Sequence, residues 1–320
     1  MLNHTRRALT ALAVFVAVPA TIAACSSSGG TSSPDTSSAK SVAAQFPVTV
    51  QAANGSVTIA RKPTAIVSMS PTATEMLFAI GAGRQVKAVD KNSNYPASAP
   101  HTALDSYQLN AEAIVNYRPD LVIVYGLPAK QLAQLKALHL TVLNEPAATG
   151  LADSYSQLTQ LGLASGHRDG AAAQIATMKR QIASIVKDTP KPPGGAKYYY
   201  ELDQTYYSVT SSTFIGRVLS LLGLTSIADA AKGAAASGGY PQLSSEFVVK
   251  SDPAYVFLAD TKCCKQSVAT IGKRPGWTAV GAVTDGRVVP LDDDIASRWG
   301  PRIVDLLRAV GQAMRQHPAP

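Results

Sequence analysis

Two hydrophobic periods alternate along most of the chain. Short apolar runs at Ala65–Met69, Gln85–Val89, Leu121–Tyr125 and Thr141–Leu143 predict buried strands, and the segments near 72–81, 110–117 and 129–138 space their apolar residues as helices do. Ahead of them, Phe46 to Ala60 alternates around Asn54-Gly55, a hairpin signal. Leu151 to Asp188 has no strand. Leu158, Leu161, Ile175, Met178, Ile182, Ile185 and Val186 fall at helical spacing, which predicts one long helix from about Asp169 and a shorter lead-in weakened by Gly162 and Gly166. The sequence "TPKPPGGAK", Thr189 to Lys197, then breaks the chain. Beyond it the pattern resumes with a strand at Lys197–Leu202, helices near 214–222 and 245–250, strands at Tyr255–Ala259 and Arg287–Leu291, and a last helix over 301–315.

Such alternation predicts an α/β fold with largely parallel sheets. The halves also echo each other. "EAIVNYRPDLVIVYG" (Glu112 to Gly126) aligns with "EFVVKSDPAYVFLAD" (Glu246 to Asp260), so that Glu112 pairs with Glu246, Val115 with Val249 and Pro119 with Pro253, each 134 positions apart. Each copy reads helix, proline turn, buried strand. The recurrence predicts two similar α/β lobes joined by the long helix.

With 320 residues, 46% of them hydrophobic, the chain has ample core for two lobes. The division expected is a signal peptide over 1–24, a lipidated cysteine and tether over 25–43, an N-lobe over 44–149, a backbone helix region over 150–189 and a C-lobe over 190–320. The signal reading rests on Arg6 and Arg7, the apolar run Ala8 to Ala20, too short to span a bilayer, and "IAAC" ending at Cys25. That last sequence resembles a bacterial lipobox, with Ile22 where leucine is commoner, and implies lipidation of Cys25. Arg6-Arg7 also looks like a weak twin-arginine signal, which leaves the export route open. "SSSGGTSSPDTSSAK", Ser26 to Lys40, cannot bury a core and reads as a tether. The folded part is thereby expected on the outer face of the cytoplasmic membrane, held by a lipid anchor. Loss of residues 1–24 lowers the net charge from +8 to +6, and the basic residues are scattered, which argues against nucleic acid.

Catalytic chemistry finds little support. His101, His139, His167 and His317 lack ligand spacing, no G-x-S-x-G or P-loop occurs, and Gly81-Ala82-Gly83 follows a helix, as a helix stop does. Asp292-Asp293-Asp294 reads as a solvated acidic turn rather than a magnesium site. No enzyme activity, resident metal or cofactor is expected.

Read in order, "RKPTAIVSMSPTATEMLFAIGAG", "NSNYP", "LDSYQLNAEAIVNYRPDLVIVYG" and "DGRVVPLDDDIASRWGPRIVDLLR" resemble the Fe/cobalamin class of substrate-binding proteins, from about Phe46 to the C-terminus. These serve ATP-driven importers of ferric siderophores, haem and cobalamin. The resemblance implies two α/β lobes on one stiff helix, a monomer, and a ligand cleft between lobes. It also implies two partners, a chelated-metal small molecule and a permease dimer with its ATPase. Ferric siderophore is the first expectation for cargo, cobalamin the second and haem the third. An extracytoplasmic sensor or assembly partner using the same fold without transport is the alternative.

Thr72 and Glu75 have capping-box spacing, so Glu75 reads first as a helix cap. By the resemblance, Glu75 in "SPTATE" and Glu246 in "YPQLSSEFVV" become the glutamates that dock on permease arginines, one from each lobe. Ligand sites in open α/β sheets gather beyond the carboxyl ends of strands. The N-lobe candidates are Ser70, Thr72, Asn92, Tyr95, Ser106, Tyr107 and Tyr125; the C-lobe candidates are Tyr200, Tyr206, Tyr207, Tyr240, Trp277, Arg298 and Trp299. Tyrosine and tryptophan give a large planar ligand contact area with a polar tip. In the run at 198–200 only one face of the strand is available to the cleft. Arg298 reads equally as an anion contact or as a partner of Asp292, Asp293 or Asp294, and Arg302 as a packing or helix-dipole residue. Cys263-Cys264 has three readings: vicinal disulfide, which leads, free thiols, or metal ligands. The first is strained, because adjacent Cα atoms lie about 3.8 Å apart against a usual disulfide range of about 4.4–6.8 Å.

Overall fold

The computed structural model describes residues 46–320. The signal segment, Cys25 and the tether lie outside these residues. A hairpin, β1 (Val48–Ala52) and β2 (Gly55–Ile59), opens the fold, turning at Asn54-Gly55. The N-lobe follows as β3 (Ile66–Ser68), α1 (Pro71–Ala79), β4 (Val86–Val89), α2 (Ala111–Val115), β5 (Leu121–Tyr125), α3 (Ala129–Ala137) and β6 (Val142–Glu145). Two helices then cross to the C-lobe, α4 (Leu151–Ser165) and the 21-residue α5 (Arg168–Asp188). The C-lobe contains β7 (Ala196–Glu201), α6 (Phe214–Ser220), β8 (Leu224–Ser226), α7 (Ser245–Ser251), β9 (Tyr255–Leu258), the short helices α8 (Val268–Ile271) and α9 (Gly281–Thr284), β10 (Val288–Pro290), α10 (Asp293–Ala296) and α11 (Ile303–Gln316).

Both four-stranded sheets are parallel and have one topology. The order β4-β3-β5-β6 in the N-lobe and β8-β7-β9-β10 in the C-lobe each run second, first, third, fourth strand of the lobe. The repeat seen in sequence is thus a repeat of fold, with β5 and β9 as equivalent strands. Three local expectations change. Strand β8 was not foreseen, because "LTS" is too short to show a period. The lead-in α4 is a full helix of 15 residues. Its glycines have steric reasons: a Cβ on Gly162 would meet the Cβ of Ala171 at 2.6 Å, and Gly166 caps α4 at φ +73°. The last helix starts at Ile303, two residues beyond Pro301.

One hydrophobic core runs through both lobes. Ile66, Leu121 and Leu143 of the N-lobe join it, as do Leu158, Met178 and Ile182 of α4 and α5, and Tyr198, Phe257, Leu307 and Val310 of the C-lobe. The outer face of each sheet packs on a smaller cluster, around Val67, Ile114 and Val124 in one lobe and Tyr199, Val256 and Trp277 in the other. Strand β7 shows the period directly, since Tyr198 and Tyr200 enter the shared core and Tyr199 the outer cluster. Both faces of that strand are core, so neither reaches the cleft.

Candidate functional site

The carboxyl ends of the N-lobe strands carry the first half of the site. Ser70, two residues beyond the end of β3, is the N-cap of α1, its hydroxyl accepting from the Ala73 N–H at 3.3 Å. The capping box expected of Thr72 and Glu75 is therefore absent; the helix begins earlier. A buried hydroxyl chain fixes the loop after β4: Thr74 bonds Ser68 and Ser93, each at 2.9 Å, and Ser93 bonds Asp90. Asp90 also accepts from Ser106 at 3.0 Å. This chain holds Asn92, Asn94 and Ser106 at the rim of the cleft.

Glu75 lies where the two halves of the chain meet. It is 3% exposed, and its carboxylate takes Nη1 of Arg298 at 2.8 Å and Nε and Nη2 of Arg302. Arg298 spends its remaining donors on the Asn94 side chain, the Asn92 carbonyl and Asp294. Arg302 also lies over the Tyr95 ring, 4.1 Å from its centroid. This network corrects two expectations, for Glu75 and Arg302, and selects between the two readings of Arg298. Glu75 is not an exposed acid at a lobe tip, because a nearly desolvated carboxylate holding two guanidinium groups is already satisfied. Arg298 is an ion-pair residue in this conformation, bonding both Asp294 and Glu75. Arg302 is an ionic strap from the C-terminal segment onto the N-lobe rather than a packing residue.

Beside this strap opens a cleft of about 870 Å³. Of the residues picked from sequence, Ser70, Thr72, Asn92, Ser106, Tyr107, Tyr125, Arg298 and Trp299 line it. Tyr125 and Trp299 form its floor, ring centroids 4.7 Å apart, and the Trp299 indole N–H is held by Gln157 at 2.8 Å. Lys91, Asn94, Gln131, Cys263, Asp294 and Ser297 also line the cleft and were not foreseen as lining residues, being ordinary polar loop positions in sequence. Both cations there are paired, Arg298 as described and Lys91 with Asp105 at 2.7 Å.

Six aromatic candidates lie elsewhere. Tyr200 is fully buried and gives its hydroxyl to the Ala296 carbonyl, and Trp277 is fully buried with its indole N–H on Ser245. Tyr206 stacks on Trp277 in the C-lobe. Tyr95 lines a separate cavity of about 390 Å³ on the far side of Arg302. Tyr207 and Tyr240 are exposed but line none of these cavities. Aromatic type alone did not separate core from cleft.

Cys263 and Cys264 are two thiols with sulfurs 2.6 Å apart, not the disulfide expected. Partial burial of its sulfur and the hydrogen bond to Cys264 push the Cys263 thiol up to about 12. The acidic run is not a solvated turn: Asp292 caps α10, Asp293 accepts from the Lys262 and Cys263 amides, and Asp294 pairs with Arg298 and Lys262. Beneath the cysteine loop, Glu201 forms a bidentate pair with Arg274, both contacts at 2.6 Å, and burial with the nearby Glu201 charge pushes Asp260 up to about 7.

Glu246 is exposed in the first turn of α7, behind the Ser244 cap. Its counterpart in the repeat, Glu112, is exposed in the first turn of α2, behind the Asn110 cap. The 134-residue repeat carried that signal; the reading by motif passed it over for Glu75.

Two topologically equivalent lobes, a bridging helix pair and one wide polar–aromatic cleft define a bilobal binding protein. The family model "Periplasmic binding protein" matches residues 66–295, and the chain belongs to that family. It is 28% identical over 288 residues to an uncharacterised ABC transporter substrate-binding lipoprotein, YvrC, of Bacillus subtilis, covering 87% of this chain and 88% of that one. A cobalamin-binding protein of Halobacterium salinarum is 27% identical over 280 residues, covering 85% and 75%. Among solved structures, the periplasmic vitamin B12-binding protein BtuF of Vibrio cholerae superposes with a TM-score of 0.65 at 24% identity, over 80% of this chain and 98% of that one.

Proposed function

We propose that this protein is the extracytoplasmic substrate-binding lipoprotein of an ABC importer, anchored through Cys25, and that its cargo is a corrinoid of the cobalamin type. The observation that carries the cargo reading is the state of the cleft cations. A ferric siderophore with anionic chelating groups, or haem with two carboxylates, would draw on free positive charge. Here Arg298 and Lys91 are both paired with carboxylates, Asp294 of the lining among them, and the rest is hydroxyl, amide and aromatic groups with apolar Met69, Pro71, Leu127 and Pro128 and the Cys263 thiol. Such a lining suits a large planar cargo rimmed with neutral amides. The relatives known as cobalamin- and vitamin B12-binding proteins lean the same way, which moves cobalamin ahead of the siderophore first expected.

For delivery, the docking acids are Glu112 and Glu246 rather than Glu75 and Glu246. They occupy equivalent positions in the two lobes, each exposed and each at a helix start where the helix dipole favours negative charge. Charge-assisted pairing with permease arginines would use one from each lobe. Calorimetric titration with cyanocobalamin, haemin and a ferric tris-catecholate tests the cargo: the first should bind tightly and the others at least about 100-fold more weakly. Tight binding of the catecholate or haemin instead would reverse the assignment.

A further inference from the structure

Below the aromatic floor of the cleft lies a second, much smaller space. It measures about 10 Å³ and is bounded by Ser70, Thr72, Tyr125, Glu145, Gln157 and Trp299, with an apolar base. Four of these residues, Ser70, Thr72, Tyr125 and Trp299, also line the large cleft, so the two spaces share one wall. The smaller has room for one water-sized group.

Glu145 is the anomaly within it. It is the last residue of β6, paired in register with Tyr125 at the end of β5, so the sheet aims both side chains at the same place. It is 4% exposed, yet neither carboxyl oxygen has a hydrogen-bond partner in the protein. Among the polar groups lining the same space, Gln157 donates to the Pro146 carbonyl at 2.8 Å and accepts from the Trp299 indole at 2.8 Å, and the Ser70 hydroxyl caps α1; the hydroxyls of Ser70, Thr72 and Tyr125 make no bond to Glu145. No charged group from β5, α1, α4 or the 299 segment lines the space. Leaving a buried polar group unpaired costs about 1–3 kcal/mol, and a structure keeps such a group where it has a use.

We propose that Glu145 is a subsite for a primary amide of the cargo, reached when that amide displaces Trp299 from Tyr125 and enters the space beneath. A carboxyl group and a primary amide are matched pairs: the acid O–H donates to the amide oxygen while the amide N–H donates to the acid carbonyl. Burial pushes the Glu145 carboxyl up to about 7, so the protonated form that makes both bonds is the main one below neutrality. Above it the carboxylate keeps only the N–H bond. This subsite rests on the corrinoid reading of the cleft, and the test separates the two.

Cyanocobalamin binding is measured by calorimetry from pH 6 to pH 8 in wild type, Glu145→Gln and Glu145→Leu. Wild type should weaken several-fold as pH rises. Glu145→Gln, which pairs with an amide at any pH, should hold the pH 6 affinity throughout, and Glu145→Leu should lose about tenfold at pH 6. Unchanged affinity in Glu145→Leu, or the same pH profile in Glu145→Gln as in wild type, overturns the subsite; if Glu145→Leu does not fold, the Glu145→Gln profile decides alone. If wild type binds no cyanocobalamin the corrinoid reading fails, and acetamide is then the probe. With two tryptophans in the chain, the Trp299 indole N–H signal is assignable by Trp277→Phe. It should shift saturably with acetamide at pH 6 in wild type and in Glu145→Gln and not in Glu145→Leu; no saturable shift in wild type ends the proposal.

Discussion

Glu75 accepts two hydrogen bonds from Arg302, one on each carboxylate oxygen, across 227 positions of sequence. With Arg298 on the same carboxylate, this contact ties the C-terminal segment to the first helix of the N-lobe at the edge of the cleft. A buried carboxylate shared by two arginines makes the fold specific at this point, and losing one partner strands charge.

Glu75→Gln should therefore lower unfolding free energy by about 3–5 kcal/mol, since two guanidinium groups lose their counter-charge while buried. Chemical denaturation measures it. A cost under about 1 kcal/mol would mean that the arginines find other partners and that the strap is not fixed through Glu75.

The exposed acids predict the opposite pattern. Glu112→Ala with Glu246→Ala should cost only about 0.3–1 kcal/mol per site in stability, as lost helix-dipole interactions, and leave cyanocobalamin affinity unchanged. Uptake in cells should fail, because unpaired arginines on a docking partner cost about 2–5 kcal/mol each. Normal uptake by the double variant would remove both acids from docking.

Over part of the acid range stability should decline as the solution is made less acid. Glu145 has an ordinary value of 4.5 and is pushed up to about 7 by burial. Between those values the folded state keeps a proton that the unfolded chain has lost, so stability falls as pH rises from about 4.5 to 7 and then levels. Asp260, pushed up to about 7 by burial and by Glu201, acts in the same sense. Glu145→Gln should flatten part of the slope, with the remainder belonging to Asp260. His167, held below its ordinary value of 6.5 by burial and by Lys62, acts in the opposite sense up to that value, so the deciding comparison is wild type against Glu145→Gln, and equal slopes would contradict the Glu145 placement.

Because both cleft cations are paired, the association rate for cyanocobalamin should change less than about threefold between 50 mM and 500 mM salt. Stopped-flow fluorescence measures the rate. A steep decline with salt would show a free charge guiding the ligand.

The periodicity of the chain carried most of the fold. Buried strands such as Leu121–Tyr125 and Tyr255–Leu258 are continuous apolar runs because helices cover both faces of a parallel sheet. Residues at strand ends, Ser70, Ser106, Tyr125 and Trp299, were found by the same rule that places ligand sites. What the sequence could not show was direction and partnership. Tyr200 and Tyr125 are the same residue type, each near the carboxyl end of a parallel strand, and only packing makes one core and the other cleft. Glu75 looked like a surface acid because its arginines lie more than 220 residues away. Glu112 was legible through the repeat, which compares positions rather than motifs.

The core shared by the two lobes has a consequence for how the protein comes apart. Met178 and Ile182 of α5 pack in the same cluster as Leu121 on one side and Phe257 on the other, so the main apolar interior belongs to both lobes and each keeps only a smaller outer cluster of its own. Melting should then be a single all-or-none event rather than two domain transitions. Occupancy of the cleft by cargo would raise the melting temperature of the entire chain, strands far from the ligand included. A fragment ending at α4 would carry away half of an interior with nothing to close it.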